Sequence, residues 1–285
     1  RNNFPCAADQ YELVREIGKG ACGLVWLAKC LPLDEEVALK ILEADDLKCP
    51  LEHIMRETQI MHEMRHPNVM PLYCSFVHKE QLWMVMPYVA GGSLFGIISG
   101  NYPQGLEEEV VATVALDVLR GLEYMHAHSM IHRDVKAANV LVNTDGRVVL
   151  SDFGGSGSGG GQFRSAWACQ KYLARNTFTG TPCFMAPEVM AATDDCQSYN
   201  MAADVWSFGI FLEELALGRA PYAHMKLESV ILTTLHEDAP VLGNQKTKRK
   251  FSEELQDIVA VCLQKDPSQR PICSQLLKHK FFKVR

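Results

Sequence analysis

His132-Arg133-Asp134, with Asn139 five residues after the aspartate and Asp152-Phe153-Gly154 thirteen residues beyond Asn139, constrains this chain more than any other feature. The run reads HRDVKAAN, then a short alternating stretch, then DFG. Each polar residue suits one part of a single chemistry. Asp134 is a carboxylate that can take a proton from a hydroxyl, and Lys136 is a cation that can sit against a phosphate. Asn139 and Asp152 are hard oxygen donors of the kind magnesium prefers. One such triplet arises by chance. The two at this spacing are jointly very specific, and only a fold that gathers them gives them a use.

Bulk properties bound the rest. A length of 285 residues allows one large domain or two small ones with an ample core. The net charge of -6 argues against a nucleic-acid partner. Ten cysteines contain no CxxC pair, which excludes a zinc ribbon or thioredoxin-type motif and fits reduced thiols in the cytosol or nucleus. No stretch approaches the ~20 apolar residues needed to span a bilayer, so no membrane partner is expected. The chain opens on Arg1 and not on Met. A fragment or processed form is therefore expected, with flanking domains outside it.

Along the chain, residues 11–42 read as strands, with Leu24–Ala28 short and apolar and Val37-Ala38-Leu39 leading into Lys40. Pro50 opens a helical pattern whose apolar face carries Leu51, Ile54, Met61 and Met64 and which should stop before Pro67. Leu72–Val77 and Leu82–Met86 read as two more strands, and Pro87–Gly92 is the best internal boundary. Beyond it the pattern is mostly helical. Val111, Val114, Val118, Leu122 and Met125 form one stripe, and Met201–Leu217 is apolar almost all round, as a central buried helix would be. Residues 252–263 and 271–280 read as two surface helices. The glycine run Gly154–Gly161 should be flexible.

Gly18, Gly20 and Gly23 make a GxGxxG, in itself a weak signal shared by hairpin turns and dinucleotide sites. A dinucleotide site needs a helix directly after the third glycine. Here Val25 and other β-formers follow, which favours a hairpin lying over nucleotide phosphates. Lys40 ends an apolar strand, and Glu57 shares the apolar face of the following helix, where a carboxylate needs a cation. The two are expected to pair and hold the ammonium on those phosphates. His62-Glu63-Met64-Arg65-His66 spells HExxH and raises a rival, a zinc hydrolase. Pro67 disfavours helical geometry at His66, so a helix-terminating turn is the better reading. Glu188, in Ala186-Pro187-Glu188, is expected to pair with a buried Arg270, and Asp204 to tie down the backbone around Asp134. Lys246–Lys250 has the composition of a nuclear-localisation patch, although a solvated loop is commoner. Cys22 and Cys183 are candidate redox-sensitive thiols, weighed against ordinary packing.

Together these residues resemble the eukaryotic protein-kinase family from about Tyr11 to Phe282. The resemblance implies one domain with an α+β bilobal fold. Residues 1–86 would be a small β-rich lobe with one main helix, 87–92 a hinge, and 93–285 a larger, mainly helical lobe. ATP would bind under the hinge with magnesium, or manganese, as its metal. Lys40 and Glu57 would be the ion pair, Asp134 the catalytic base, Lys136 the phosphate neutraliser, and Asn139 and Asp152 the metal ligands. Met86 falls at the gatekeeper position, and the Pro87 carbonyl and Val89 amide where adenine is bonded. Gly18, Gly20, Gly23, Val25, Ala38 and Leu141 would complete the nucleotide site.

Lys136 matches the serine/threonine branch, as does Thr181, at the position of the threonine that supports Asp134 and Lys136 there. Within that branch the chain resembles the sterile-20-like kinases, particularly the Fray/SPAK/oxidative-stress-responsive group. The carrying stretches are LWMVMPYVAGGSL, IHRDVKAANVLV, TFTGTPCFMAPEVM, CLQKDPSQRP and LLKHKFF. Phe184 and Gly155 depart from the Trp and Val usual in the family. The group implies a cytoplasmic, or nuclear, signalling enzyme of stress or ion homeostasis, acting on protein serine and threonine hydroxyls. A catalytically dead scaffold would be expected to lack one of Lys40, Asp134, Asn139 or Asp152, and all are present.

Thr177 is the expected activating phosphorylation site. Arg133 lies beside the catalytic base, and its planar fork suits a phosphate, with Arg175 as a second contact. The glycine-led segment before Thr177 has conformational entropy to lose, and a phosphate there would pin it. Thr181 is the competing site. The Fray-type TFxGT motif aligns its threonine with Thr177 and implies a separate upstream kinase of the with-no-lysine type.

Overall fold

The computed structural model describes residues 3–20, 23–43, 58–59, 61–151, 182–191, 200–243 and 249–283. The first part is a five-stranded antiparallel sheet in the order β1-β2-β3-β5-β4. Its strands are β1 (Tyr11–Gly20), β2 (Gly23–Cys30), β3 (Glu35–Glu43), β4 (Cys74–His78) and β5 (Gln81–Pro87). β1 and β2 form a hairpin closed by the pair Gly20 and Gly23. Gly23 sits at φ 138, and a Cβ there would collide with the Ile41 carbonyl oxygen, so glycine is required.

Strand alternation sorts side chains to two faces. Val37 and Leu39 on β3 and Trp83 and Val85 on β5 build a small core with Tyr11, Ala28 and Cys30. The other face carries Leu42, Leu82 and Met84 into the main core. Cross-strand pairing puts Val25 opposite Lys40, Lys40 opposite Met84, and Ala38 opposite both Leu27 and Met86. Val25, Ala38, Lys40 and Met86 therefore share that second face.

Residues 58–59 and 61–63 are helical, so the helix ends at Glu63 ahead of the Pro67-Asn68 turn. Most of that expected helix, Glu57 included, lies outside the described residues. The strand expected from Leu72 starts at Cys74. Pro71 has no N–H, and the Leu72 carbonyl contacts His62 Nδ1 at 3.1 Å and not a neighbouring strand.

Past Pro87 come α1 (Leu94–Asn101), α2 (Glu108–Ala127), β6 (Val140–Val142), β7 (Val148–Leu150), α3 (Pro187–Ala191), α4 (Met201–Leu217), α5 (Leu227–His236), α6 (Glu253–Cys262) and α7 (Cys273–Leu276). α2 buries Val111, Val114, Val118, Leu122 and Met125, the stripe expected of it. α4 is buried continuously from Ala203 to Ala216. Asn200 caps its start, accepting from Ala203 N–H at 3.1 Å, and Gly218 at φ 79 ends it. The last expected helix is shorter than read: α7 stops at Leu276, and a 3-10 turn follows at Lys280–Phe282. His279 breaks the run, its Nδ1 accepting from Phe281 N–H at 3.2 Å.

Candidate active site

The loop between α2 and β6 is built around buried polar side chains. His132 is fully buried. Its Nδ1 accepts from Asp134 N–H at 3.2 Å, which places the ring proton on Nε2, donating to the Ser151 carbonyl at 3.0 Å. Asp204, in the first turn of α4, is also fully buried, and its Oδ2 and Oδ1 accept from the N–H groups of His132 and Arg133 at 2.7 Å each. This is the tie to the loop backbone that the sequence suggested for Asp204. Arg133 takes the left-handed conformation, φ 70.

These bonds orient the three polar residues of the loop that the sequence singled out. The Asn139 amide nitrogen donates to both the backbone carbonyl and Oδ2 of Asp134 at 2.7 Å. Lys136 Nζ lies 3.1 Å from the same Asp134 Oδ2. Asn139 O in turn accepts from Ser151 N–H at 2.8 Å and Ser151 Oγ at 2.9 Å. Ser151 is the residue immediately before Asp152 in the chain. Asp152, Thr177, Thr181, Arg175, Cys22, the glycine run and most of the basic patch lie outside the described residues, as does Glu57.

The connector after β5 approaches from the other side. Val142 N–H donates to the Gly92 carbonyl at 2.9 Å, and Ser93 bridges to Leu141. A Cβ on Gly91 would strike the Val142 carbonyl oxygen, so the close approach needs glycine. Met86, Val89 and Leu141 are partly buried against the main core. Lys40 is buried on the sheet face that carries Val25 and Ala38.

Three supporting residues had no motif to announce them. His126 Nε2 lies 2.9 Å from Asp204 Oδ2, and its Nδ1 lies 3.4 Å from Cys273 Sγ. Burial works against the imidazolium, but the hydrogen bonds to Asp204 and Cys273 prevail and raise His126 to about 10. Burial likewise opposes the Asp204 carboxylate, and the His126 and His132 contacts outweigh it, holding Asp204 below its ordinary range. Glu214 Oε2 accepts from Ala137 N–H at 2.8 Å, supporting the loop from beneath. Burial pushes Glu214 up to about 7 despite that bond and Lys136, and does the same to neighbouring Glu213. Two acids inside so apolar a helix were the signal available for Glu214. His126 and Cys273 gave none.

Glu188 and Arg270 form the expected buried pair, bidentate at 2.7 and 2.8 Å. The zinc reading of HExxH fails on geometry. His62 Nδ1 faces the Leu72 carbonyl, whereas His66 stacks on Tyr124 and accepts from Asn68 N–H at 3.1 Å. No group of three or more metal-ligating side chains occurs among the described residues. Cys183 is buried and its thiol is pushed up to about 11, so it presents no thiolate at neutral pH and its redox reading is withdrawn.

A β-sheet lobe and a helical lobe, joined beside a loop that gathers an aspartate, a lysine and an asparagine, define the class of phosphoryl-transfer folds to which the comparisons also point. The protein kinase domain family model matches residues 11–282, and the chain belongs to that family. It is 44% identical to the serine/threonine-protein kinase fray2 of Dictyostelium discoideum over 99% of this chain and 26% of that protein. Identity is 40% to fray1 of the same organism, over 99% of this chain and 47% of that protein. It is 38% to germinal center kinase 3 of Caenorhabditis elegans, over 99% of this chain and 48% of that protein. The chain thus spans between a quarter and about half the length of these relatives.

Proposed function

We propose that the chain transfers the γ-phosphate of magnesium-bound ATP to serine and threonine hydroxyls of protein substrates. The observation that carries this reading is the set of contacts converging on Asp134: Asn139 and Lys136 both reach its Oδ2, at 2.7 and 3.1 Å. Asp134 is held where it can take the proton of an incoming hydroxyl, and Lys136 where it can offset charge on the transferred group. The donor set fits a hard cation, because the Asn139 nitrogen is engaged by Asp134 and leaves its amide oxygen for the metal, with Asp152 as the second ligand. ATP supplies the activated phosphoryl group, and the metal bound with it neutralises charge on that group. Val25, Ala38, Lys40 and Met86 share one sheet face, and with Leu141 and the Pro87–Gly92 hinge they would enclose the nucleotide beneath the glycine hairpin. Glu57 would hold Lys40.

In this reading Thr177 is the activating site, with Arg133 receiving its phosphate and Thr181 supporting Asp134 and Lys136. An upstream kinase of the with-no-lysine type would add that phosphate. The resemblance of the sequence to the Fray/SPAK/oxidative-stress-responsive group would make this a cytoplasmic signalling role in stress or ion homeostasis. No helix among the described residues is long and apolar enough to cross a membrane.

The test is a phosphorylation assay with magnesium and ATP over a serine/threonine peptide array, run with wild type and Asp134→Asn. Incorporation that depends on magnesium and is lost in the variant supports the reading. Equal rates in the two proteins would remove Asp134 from the mechanism. A second arm treats wild type and Thr177→Ala with an activating kinase. An alanine variant activated as fully as wild type would sink the assignment of Thr177.

A further inference from the structure

The segment before β1 lies across one end of the sheet, from edge strand β4 to edge strand β1. Phe4 stacks flat on Tyr73 with ring centroids 4.1 Å apart. The Pro5 carbonyl accepts from Tyr11 Oη at 2.7 Å and from Cys74 Sγ at 3.6 Å. Tyr11 Oη and Cys74 Sγ are themselves 3.8 Å apart. Ala8 packs on the small core, and the Gln10 carbonyl accepts from Leu31 N–H at 2.9 Å. These contacts fix the chain on both sides of Cys6. The Pro5 carbonyl that rests on Cys74 Sγ belongs to the residue directly before Cys6, so the exposed Cys6 stands beside the half-buried thiol of Cys74.

We propose that Cys6 and Cys74 are a redox modification site: they form a reversible disulfide by exchange with a low-molecular-weight disulfide such as oxidised glutathione, fastening the residue 4–10 strap to β4. The two sulfurs must close to a bond of about 2.05 Å. Cys6 is exposed and sits on a surface strap, so the movement falls on its side. The pair is not part of a metal cluster, since none occurs among the described residues. Cys30 is also nearby, but it is fully buried and meets no oxidant from solvent.

The exchange divides the labour between the two thiols. The Cys6 thiolate attacks one sulfur of the small disulfide, the S–S bond breaks, and one small thiolate leaves and takes up a proton. Cys74 then loses its proton, attacks the Cys6 sulfur and expels the second small thiol. The balance is two protein thiols and one small disulfide giving one protein disulfide and two small thiols. Burial, with a further contribution from Cys6, pushes the Cys74 thiol up to about 12 against the opposing Tyr11 hydrogen bond. Cys74 therefore stays protonated and unreactive toward solvent until Cys6 presents a sulfur directly against it.

To test this, the chain is equilibrated with graded ratios of oxidised to reduced glutathione, residual thiols are blocked with iodoacetamide, and peptides are mapped without reduction. The expected product is a Cys6–Cys74 linked peptide, reversed by dithiothreitol and lost in both Cys6→Ser and Cys74→Ala. Oxidation should raise the Tm of wild type and leave that of Cys6→Ser unchanged. A glutathione adduct that persists on Cys6 without a cross-link would overturn the proposal. A link from Cys74 to Cys30, or one that survives Cys6→Ser, would do the same. Mapping the wild type decides the question even if a Cys74 variant folds poorly.

Discussion

The five-stranded sheet and the loop from Met130 to Asn139 solve one problem in two ways. In the sheet each strand's N–H and C=O groups meet those of a neighbour, so side chains are left to pack, and apolar alternation suffices. The loop is held by side chains instead. Its amides at His132, Arg133, Asp134 and Ala137 are satisfied by the side chains of Asp204, His132 and Glu214. Irregular backbone can be placed anywhere a reaction needs it, provided that charged or polar groups are buried to hold it. Each such group is then tied to one position, whereas an apolar residue in the sheet has neighbours that share its work.

The comparison is sharpest at Asp134. Under the proposed mechanism, Asp134→Asn should lower kcat by roughly 10²–10⁴ while leaving the Tm close to wild type, because the side chain's shape is kept and the proton acceptor is not. A full loss of folding would instead show that the loop cannot tolerate even an isosteric change. Next comes Asp204→Ala. It removes the carboxylate acceptor of two backbone N–H groups and the partner of His126, and it should destabilise the fold by about 3 kcal/mol in urea titration with activity falling in step. If stability dropped and the folded fraction kept its full rate, the loop would not depend on Asp204 for its shape.

The sheet should answer differently. Leu39 is fully buried in the small core, and Leu39→Ala should cost about 2–3 kcal/mol through lost burial and a residual cavity. Turnover per folded molecule should stay at the wild-type value. The smallest effect is the pH response of the loop's supports. The folded-state value of His126 is raised, so its stabilising contribution is complete below 6.5 and is lost as pH rises through about 10. Glu214, which holds the loop at Ala137, is raised as well, so its share is complete below 4.5 and is lost as pH rises through about 7. The urea midpoint of wild type should fall across the upper window, and that fall should vanish in His126→Gln.

How far the sequence could be read follows the same division. Alternation and helical periodicity located β2, β3, β5, α2 and α4, because apolar burial leaves a repeating mark. Gly18, Gly20 and Gly23 marked the hairpin, and spacing alone selected Asp134, Lys136 and Asn139. His126 and Cys273 stayed hidden. They come from different helices 147 residues apart and meet only in the folded chain, beside Asp204, so no local pattern records them. The late start of β4 at Cys74 and the short α7 also escaped, because single hydrogen bonds at the Leu72 carbonyl and at His279 set those ends.

Arg133 gives the loop one more property. A side chain with a Cβ held at φ 70 strains its own backbone by about 1–3 kcal/mol. The Asp204 carboxylate, bonded to the amides of His132 and Arg133, opposes that strain directly. The loop therefore sits like a cocked latch. Loosening Asp204 would cost two hydrogen bonds and remove what holds Arg133 at that angle, so the segment should relax toward an ordinary backbone conformation.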